Sequence, residues 1–509
     1  MTPLSAPLAP AVPPVRWWRR KRVRIPAKLI GLFVASIVIG TLCFNHLATQ
    51  RWQRLVADLK ASGEAQEFLA SLPRTPEDSE NFGAAGALRM VASVRSEEKT
   101  ADANRAALLA IGYDRNKLKL GAAPMPRTSN GVNFGIPWSS EDWAEHYRVS
   151  QGLQMPVPSG NSGKDIIAAF ARSYAAMKPL IAAVSRSHAV LTPEWPKRGY
   201  REPVVMADQA HLTPFINLAR ILTEHAQAAV AAGEPQMAVD DIRVLLRLAE
   251  LVASDHLAIA ALVSITMLKM AQEPVWSLLR SRTANDQQLQ NLMESLSRVD
   301  LRQILLNCHR GEMLAAIDFR EWETTHPVEA AELGTKSLAA MLGAHIPNPQ
   351  TARIITTLVG FAPSCFAQDA ASEFLEREKN CYMLPLRDHG IHAHFKAMES
   401  QRLRHNDSAR FTRLWQFVND LQWEPFQAMA LSAVSFEARE NQAIIACALE
   451  RHWLKHQSYP NRLEDLSPKI PIQSSIDLMD DKPMRYKGTT NDRYVLWSVG
   501  FNEIDDGGR

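Results

Sequence analysis

The sequence predicts a mainly α-helical protein: an irregular helical bundle or solenoid that follows one N-terminal transmembrane helix and ends in a small α+β unit. Three observations support this fold class. An uncharged apolar run lies near the N-terminus, helical periodicity dominates the middle of the chain, and strand patterns are almost absent before residue 484. The chain has 509 residues, 46% hydrophobic and 22% charged, which is a globular composition and enough for two or three domains.

The predicted membrane anchor is the apolar run Leu29–Phe44 with the residues that follow it. No Asp, Glu, Lys or Arg occurs between Lys28 and Arg51, and a bilayer core needs about 20 helical residues. The first 50 residues contain seven Lys and Arg and no Asp or Glu. By the positive-inside rule, residues 1–28 are cytoplasmic, residues 29–50 cross the inner membrane once, and the bulk of the chain is periplasmic.

Two alternatives to a retained anchor stay open. A cleaved signal peptide has the same order of charges, although residues 46–49 (HLAT) are a poor small-x-small cleavage site. Lipid modification of Cys43 needs small residues before it, where the chain has Thr41 and Leu42. A second apolar run, residues 257–268, is short and flanked by polar and charged residues, so it is predicted to be a buried core helix.

The charge distribution limits the class of partner. Beyond residue 50 the chain has 50 Lys and Arg against 54 Asp and Glu, whereas a nucleic-acid-binding domain usually has a basic excess or stripe. The basic excess flanks the apolar run, so membrane lipid is the predicted partner and nucleic acid is not. Residues 159–165 imitate a phosphate loop, but Pro158 and Asp165 replace required residues, so no nucleotide site is predicted.

The pattern of the chain divides it into five segments. They are a basic cytoplasmic segment, the anchor, a helical stalk with a linker, a helical domain, and a helix with a β-hairpin, over residues 1–28, 29–50, 51–162, 163–435 and 436–509. In the helical domain, amphipathic helices over 213–231 and 238–252 flank Gly233-Glu234-Pro235 and predict an antiparallel hairpin. It is similar to a tetratricopeptide unit, but no second copy follows at a fixed period.

Further elements complete the expected secondary structure. Helices are predicted at residues 256–280, 286–298, 301–323, 327–343, 351–361, 367–380, 393–404, 409–421 and 425–457, and strands at 484–487 and 494–499. Because side chains alternate along a strand, Val495, Trp497 and Val499 are expected to face the helix that ends near Gln457.

The C-terminal segment carries a resemblance to a known family. Residues 459–466 have a YP..L.DL pattern, and residues 494–508 read Y.L.SVG.N..DDGG. Over residues 440–508 this order resembles the C-terminal part of the major pseudopilins of type II secretion. The resemblance implies a pilin-like head, envelope or secretion proteins as partners, and calcium bound by the terminal loop. A pseudopilin anchor belongs directly on the helix of its head, whereas here a long domain separates the two.

Hard oxygen ligands in the terminal loop make calcium the expected metal of the tail. They are supplied by Asn502, Asp505 and Asp506. The alternative is a solvated turn in which these side chains accept hydrogen bonds from nearby backbone.

A second candidate metal site is the segment RDHGIHAHF. Its imidazoles can converge on zinc if the segment is a loop or a helix start; they belong to His389, His392 and His394. A polar loop before the following helix is the alternative.

No motif identifies a substrate or a reaction: GxSxG, HExxH and the dinucleotide fingerprint are all missing from the sequence. Glu312, Asp318 and Glu321 accompany Arg310 and Arg320, which predicts an ion-paired helix face. The predicted function is therefore a non-enzymatic, membrane-tethered scaffold or interaction protein of the bacterial envelope. The alternative is an extracytoplasmic metal-dependent hydrolase that uses the histidine segment.

Four cysteines lie beyond the anchor. Cys308 and Cys447 are on apolar helix faces and are predicted to be small buried thiols. Cys365 and Cys381 flank one predicted helix and are the predicted pair in an oxidising compartment, although connectivity does not follow from sequence.

The whole chain also resembles a loose group of bacterial membrane-anchored proteins. The shared features are Glu80-Asn81-Phe82, the helical hairpin, Arg310-Gly311-Glu312 and the pilin-like tail. This resemblance implies an architecture and no activity.

Overall fold

The structure is a computed structural model that describes residues 21–63, 76–94, 139–150, 154–191, 209–330, 364–406, 413–466, 472–489 and 493–508, with a few isolated positions between them. The described chain is mainly helical, as predicted. Its α-helices are, in chain order, α1 (Lys21–Ala61), α2 (Leu88–Ala92), α3 (Ser140–Ser150), α4 (Ser162–Ala183), α5 (Leu212–Ala232), α6 (Pro235–Ala253), α7 (Ala258–Ser281), α8 (Asp286–Leu296), α9 (Leu301–Thr325), α10 (Ser364–Arg377), α11 (Leu384–His389), α12 (Ile391–Asn406) and α13 (Arg413–His456). A π-helix, Glu378–Met383, joins α10 to α11.

The predicted hairpin is confirmed as α5 and α6, which pack closely on each other. Gly233 ends α5 in the left-handed region (φ 78°), where glycine has no steric penalty, and Pro235 begins α6. The apolar faces of both helices are buried, with Phe215 and Ile242 completely enclosed. Helix α8 also begins where predicted, because Asn285 and Gln288 form a reciprocal capping box at 2.9 Å.

Two helices are long and apolar enough to cross a membrane by length and composition. They are Leu32–Ala61 within α1 and the whole of α7, and the bent helix α4 would give a third if it counted as one span. Their surroundings differ, since 61% of the apolar window in α7 is buried inside the protein against 6% in α1. Helix α7 contacts α6, α5 and α13, which agrees with the prediction of a core helix there.

Two helical segments differ from the prediction. Helix α3 lies in the predicted linker, where no helix was predicted, and its aromatic residues Trp143 and Tyr147, a turn apart, are both buried. The helices predicted over 409–421 and 425–457 are the single helix α13, which continues through Pro425. A proline inside a helix removes one backbone hydrogen bond, and α13 nevertheless runs without a break for 44 residues.

The tail contains two antiparallel strand pairs. The first pairs β1 (Ile476–Asp477) with β2 (Lys482–Pro483), and the second pairs β3 (Arg485–Thr489) with β4 (Arg493–Trp497). The second pair is the predicted hairpin, shifted by one or two residues at its ends.

The hairpin meets the core with the opposite face from the one predicted. Tyr494 and Leu496 pack against the core, whereas Val495 is 37% exposed. Val499 is buried as expected, but it lies beyond the end of β4. The expectation for Val495 and Trp497 was wrong because a tyrosine buries its ring while its hydroxyl reaches a polar neighbour.

One buried cluster of apolar side chains extends from Leu59 in α1 to Val499 in the tail. Helix α13 is buried on all sides between Ala443 and Glu450, because it contacts α7 and α8 as well as the tail. The predicted boundary at residue 435 therefore lies within a helix that serves both units.

The cysteine predictions have mixed outcomes. Cys308 and Cys447 are completely buried free thiols, as predicted. The side chain of Cys365 lies outside the described residues, so its pairing with Cys381 stays a prediction. The helices predicted over 327–343 and 351–361 also fall mostly outside the described residues.

Candidate functional site

The first half of α1 exposes apolar surface. Eight of its large apolar side chains are more than half exposed, namely Leu29, Leu32, Phe33, Val34, Val38, Ile39, Leu42 and Leu47. A continuous exposed apolar surface of this kind marks a contact with lipid or with another protein.

The second half of α1 is docked on the domain. Ala48 and Leu59 are buried, and Trp52 and Val56 between them pack partly against the core. Spacings of three and four residues place these side chains on one face of the helix. The helix continues past residue 51 into the segment predicted to be a stalk, and there it lies against α10.

Arg51 holds this contact through charged groups of α10. Its guanidinium donates to Asp369 (2.7 Å) and to both oxygens of Glu376 (2.6 and 3.1 Å). Beside it, Thr49 donates to the side-chain oxygen of Gln368 (3.2 Å). Hydrogen bonds to Glu376 and Asp369 raise the pKa of Arg51 further above its ordinary value.

A group of titratable side chains lies inside the domain where α9, the π-helix and α12 meet. His309 Nδ1 and Glu378 Oε2 are 2.6 Å apart, and the rings of His309 and His394 are 4.9 Å apart, edge to face. These three completely buried residues are called the buried cluster below.

Hydrogen bonding and burial define the protonation of the buried cluster. His394 Nδ1 is 3.0 Å from the carbonyl oxygen of Tyr382, which only accepts, so this nitrogen donates. Among the described residues, Nε2 of neither histidine has a hydrogen-bond partner. Burial lowers the pKa of both histidines to about 3 and raises the pKa of Glu378 well above its ordinary value. His309 and Glu378 therefore share one proton without net charge at neutral pH.

The π-helix supplies two of these contacts, from Glu378 and the Tyr382 carbonyl. Pro385 follows in the first turn of α11 and has no N–H, so a regular α-helical bond is lost at this junction. Short π-helices occur frequently at functional sites. The sequence did not reveal His309 or Glu378, because the two residues are 69 positions apart and belong to no motif of fixed spacing.

Glu312 caps a neighbouring helix. Its Oε1 accepts the N–H of Ala258 at the start of α7 (2.7 Å), and burial raises its pKa to about 7. Gly311 beside it packs so closely that a Cβ would overlap the carbonyl oxygen of His256. The predicted ion-paired face is thus wrong for Glu312, although Arg320 does pair along the same helix.

The three histidines predicted to bind zinc have different surroundings. His389 is exposed at the end of α11, His392 is half-buried near Lys396, and His394 is enclosed in the core. Within the described part of the chain, no group of three or more His, Cys, Asp or Glu side chains could hold a metal ion. The structure does not bring the predicted zinc ligands into one site.

The predicted calcium ligands accept hydrogen bonds from nearby backbone. Asn502, Asp505 and Asp506 each accept the N–H two residues further on, at 3.2, 3.0 and 3.1 Å. Asp505 also accepts the indole N–H of Trp497 (2.9 Å). These turns are the alternative arrangement that the sequence left open.

Comparisons with known proteins identify no relative: no protein-family model, curated protein or solved structure matches the chain.

Proposed function

We propose that the protein is a membrane-tethered scaffold of the bacterial envelope, with its cytoplasmic N-terminus followed by one span and a periplasmic domain. The observation that supports this most directly is the change of surroundings along α1. The helix exposes apolar side chains as far as Leu47 and becomes part of the domain core from Ala48 onward.

The length of the uncharged segment suits a bilayer. Residues 29–50 are 22 helical residues without a charged side chain, and they extend about 33 Å at 1.5 Å per residue. The hydrocarbon core of a bilayer is about 30 Å thick. Arg51 ends this segment and is bound to Asp369 and Glu376, so α10 would lie beside the membrane surface.

The scaffold role rests on the surfaces that the domain carries. One of these is the tail, where the β3–β4 hairpin packs on the end of α13 in the order of elements that the resemblance to pseudopilins implies. That resemblance makes envelope or secretion proteins the expected partners.

The anchor is tested with two arginine substitutions on α1. Val38→Arg changes a 51% exposed side chain in the apolar half, whereas Asp58→Arg changes an exposed side chain in the docked half. An arginine at the centre of a span costs about 3 kcal/mol, so only Val38→Arg should lower the fraction that resists carbonate extraction. Equal resistance of the two variants would contradict a membrane span.

Topology and partners need separate measurements. Alkaline phosphatase fused to the C-terminus should be active and a fused green fluorescent protein dark, since the first matures only outside the cytoplasm. With the topology established, proximity labelling from the C-terminus should enrich envelope or secretion proteins. Failure to recover any such protein above background would count against the scaffold.

A further inference from the structure

Three carboxylates from separate parts of the tail surround one guanidinium. Arg485 Nη1 is 2.7 Å from Asp477 and 3.0 Å from Asp480, and Nη2 is bound to the other oxygen of Asp480. Asp505, from the C-terminal loop, lies 3.8 Å from Arg485 Nε. The guanidinium thus joins β1, the following turn and the end of the chain.

Asp477 is the most constrained of the three acidic residues. It is completely buried, and besides Arg485 it accepts from Met479 N–H (3.1 Å), the Ser498 hydroxyl (2.7 Å) and Val499 N–H (3.0 Å). A buried carboxylate needs both hydrogen bonds and a compensating charge. Arg485 supplies that charge from a side chain that is only 14% exposed.

This arrangement bears on the calcium ion that the pseudopilin resemblance implies. Calcium requires six to eight oxygen ligands, but here the guanidinium and backbone amides already engage the carboxylate oxygens. The hydrogen bond with Arg485 lowers the pKa of Asp480 to about 2, which keeps that carboxylate charged. The residues present therefore fit an internal cation and do not fit calcium alongside it.

We propose that Arg485 is the resident cation of the tail, beside the terminal loop to which the resemblance assigns calcium, and that its removal leaves Asp477, Asp480 and Asp505 as an uncompensated group of carboxylates that attracts a divalent cation. The tail then folds independently of calcium. This inference concerns the tail alone and holds whether or not the chain acts as a scaffold.

Terbium luminescence on the full chain in detergent tests the proposal. Tb³⁺ takes the same oxygen ligands as Ca²⁺ and emits when a nearby indole absorbs light, and the Trp497 indole is 2.9 Å from Asp505. With Arg485 intact, Trp497→Phe should leave Tb³⁺ emission the same as in the wild type. A chelator should leave the unfolding temperature of the wild type unchanged. Trp497-dependent emission that Ca²⁺ displaces from the wild type would overturn the proposal.

Substitution of Arg485 tests the exposed site. Arg485→Ser should gain Tb³⁺ emission that Ca²⁺ displaces, and a second substitution, Asp480→Asn, should abolish the gain. The unfolding temperature of Arg485→Ser should fall below that of the wild type, and Ca²⁺ should partly restore it. Arg493→Ser, at an exposed arginine on β4, is the matched control and should change neither property.

Two further variants cover a failure of Arg485→Ser to fold. Arg485→Gln keeps most of the side-chain volume and should gain the same emission, whereas Arg485→Lys keeps a cation and should not. A folded Arg485→Gln protein without any gain overturns the divalent-cation site.

Discussion

Two buried pairs of a histidine and a carboxylate share one contact geometry. His225 with Asp241, and His309 with Glu378, each place Nδ1 2.6 Å from a carboxylate oxygen, and every side chain is at most 1% exposed. The first pair joins α5 to α6 across 16 residues, whereas the second joins α9 to the π-helix across 69.

The surroundings of the two pairs differ more than the contacts do. The His225 ring stacks on Tyr174 at a centroid distance of 4.2 Å, whereas the His309 ring lies edge to face with a second histidine, His394. Burial raises the pKa of Asp241 to about 6 and lowers the pKa of His394 to about 3. Asp241 of the first pair and His394 beside the second pair should therefore change stability with pH in opposite directions.

The largest effect is expected when the distant pair is broken. Glu378→Ala removes buried volume and leaves His309 Nδ1 without its partner, which should lower the free energy of unfolding by about 4 kcal/mol. Chemical denaturation at pH 7 measures this loss. Glu373→Ala, at a 37% exposed ion pair on α10, should change stability by less than about 0.5 kcal/mol. Equal losses of unfolding free energy in the two variants would show that the buried pair contributes no more stability than an exposed ion pair.

Replacing the second histidine should change how the domain responds to acid. The pKa of His394 is about 3 in the folded protein and 6.5 when unfolded, so its contribution is present above pH 6.5 and lost as pH falls. Relative to His394→Phe, the wild type should lose about 1.4 kcal/mol per pH unit below that value. Denaturation between pH 7 and 5 measures this slope. His389→Phe, at an exposed position, is the control and should keep the wild-type slope. If His394→Phe also kept that slope, the lowered pKa of His394 would be contradicted.

Asp241 of the local pair should show a pH dependence of the opposite sign to that of His394. The pKa of Asp241 is raised from 3.8 to about 6, so its contribution is present below 3.8 and lost as pH rises through 6. Relative to Asp241→Asn, the wild type should lose on the order of 2 kcal/mol over this range. Asp240→Asn, at the neighbouring half-buried residue, is the control. If the wild type gained stability with rising pH relative to Asp241→Asn, the raised pKa of Asp241 would be contradicted.

The smallest effect is expected where a distant contact is exposed. Arg51 joins α1 to α10, but it is 37% exposed and its partners 36% and 38%, so solvent screens the ion pairs. Arg51→Ala should cost less than about 1 kcal/mol, and the cost should shrink at high salt. Arg54→Ala, at a residue that donates to the uncharged Gln50 on the same helix, should have no salt-dependent effect. A loss of stability as large as that of Glu378→Ala would mean that burial does not determine how much these contacts stabilise the fold.

The sequence predicted the elements whose signals are local. The α5–α6 hairpin follows from Gly233 and Pro235, and the start of α8 follows from the Asn285 and Gln288 capping box, all within a few residues of the helix ends. The β3–β4 hairpin was found, but its inner face was not, because Tyr494 and Val495 differ less in hydrophobic character than in the polar contact a hydroxyl can make.

The candidate sites were less predictable because their members are distant in sequence. His309 meets Glu378 across 69 residues, and Arg485 joins Asp477 to the C-terminal loop, so no spacing rule applies to them. Proximity along the chain also misled, since His389 and His394 are neighbours in sequence but lie on the surface and in the core. The docking of α1 was hidden because an apolar run suggests lipid whether or not a protein face follows it.

The direct passage of α1 into the core has a consequence for encounters within a membrane. A domain on a flexible tether adopts every orientation, and a partner binds only when the domain presents the correct face. Here Ala48 and Leu59 are already buried where the exposed apolar surface ends, so anchor and domain would turn as one rigid body about the bilayer normal. A partner in the same membrane would then search one rotation angle instead of three, which lowers the entropy lost on association.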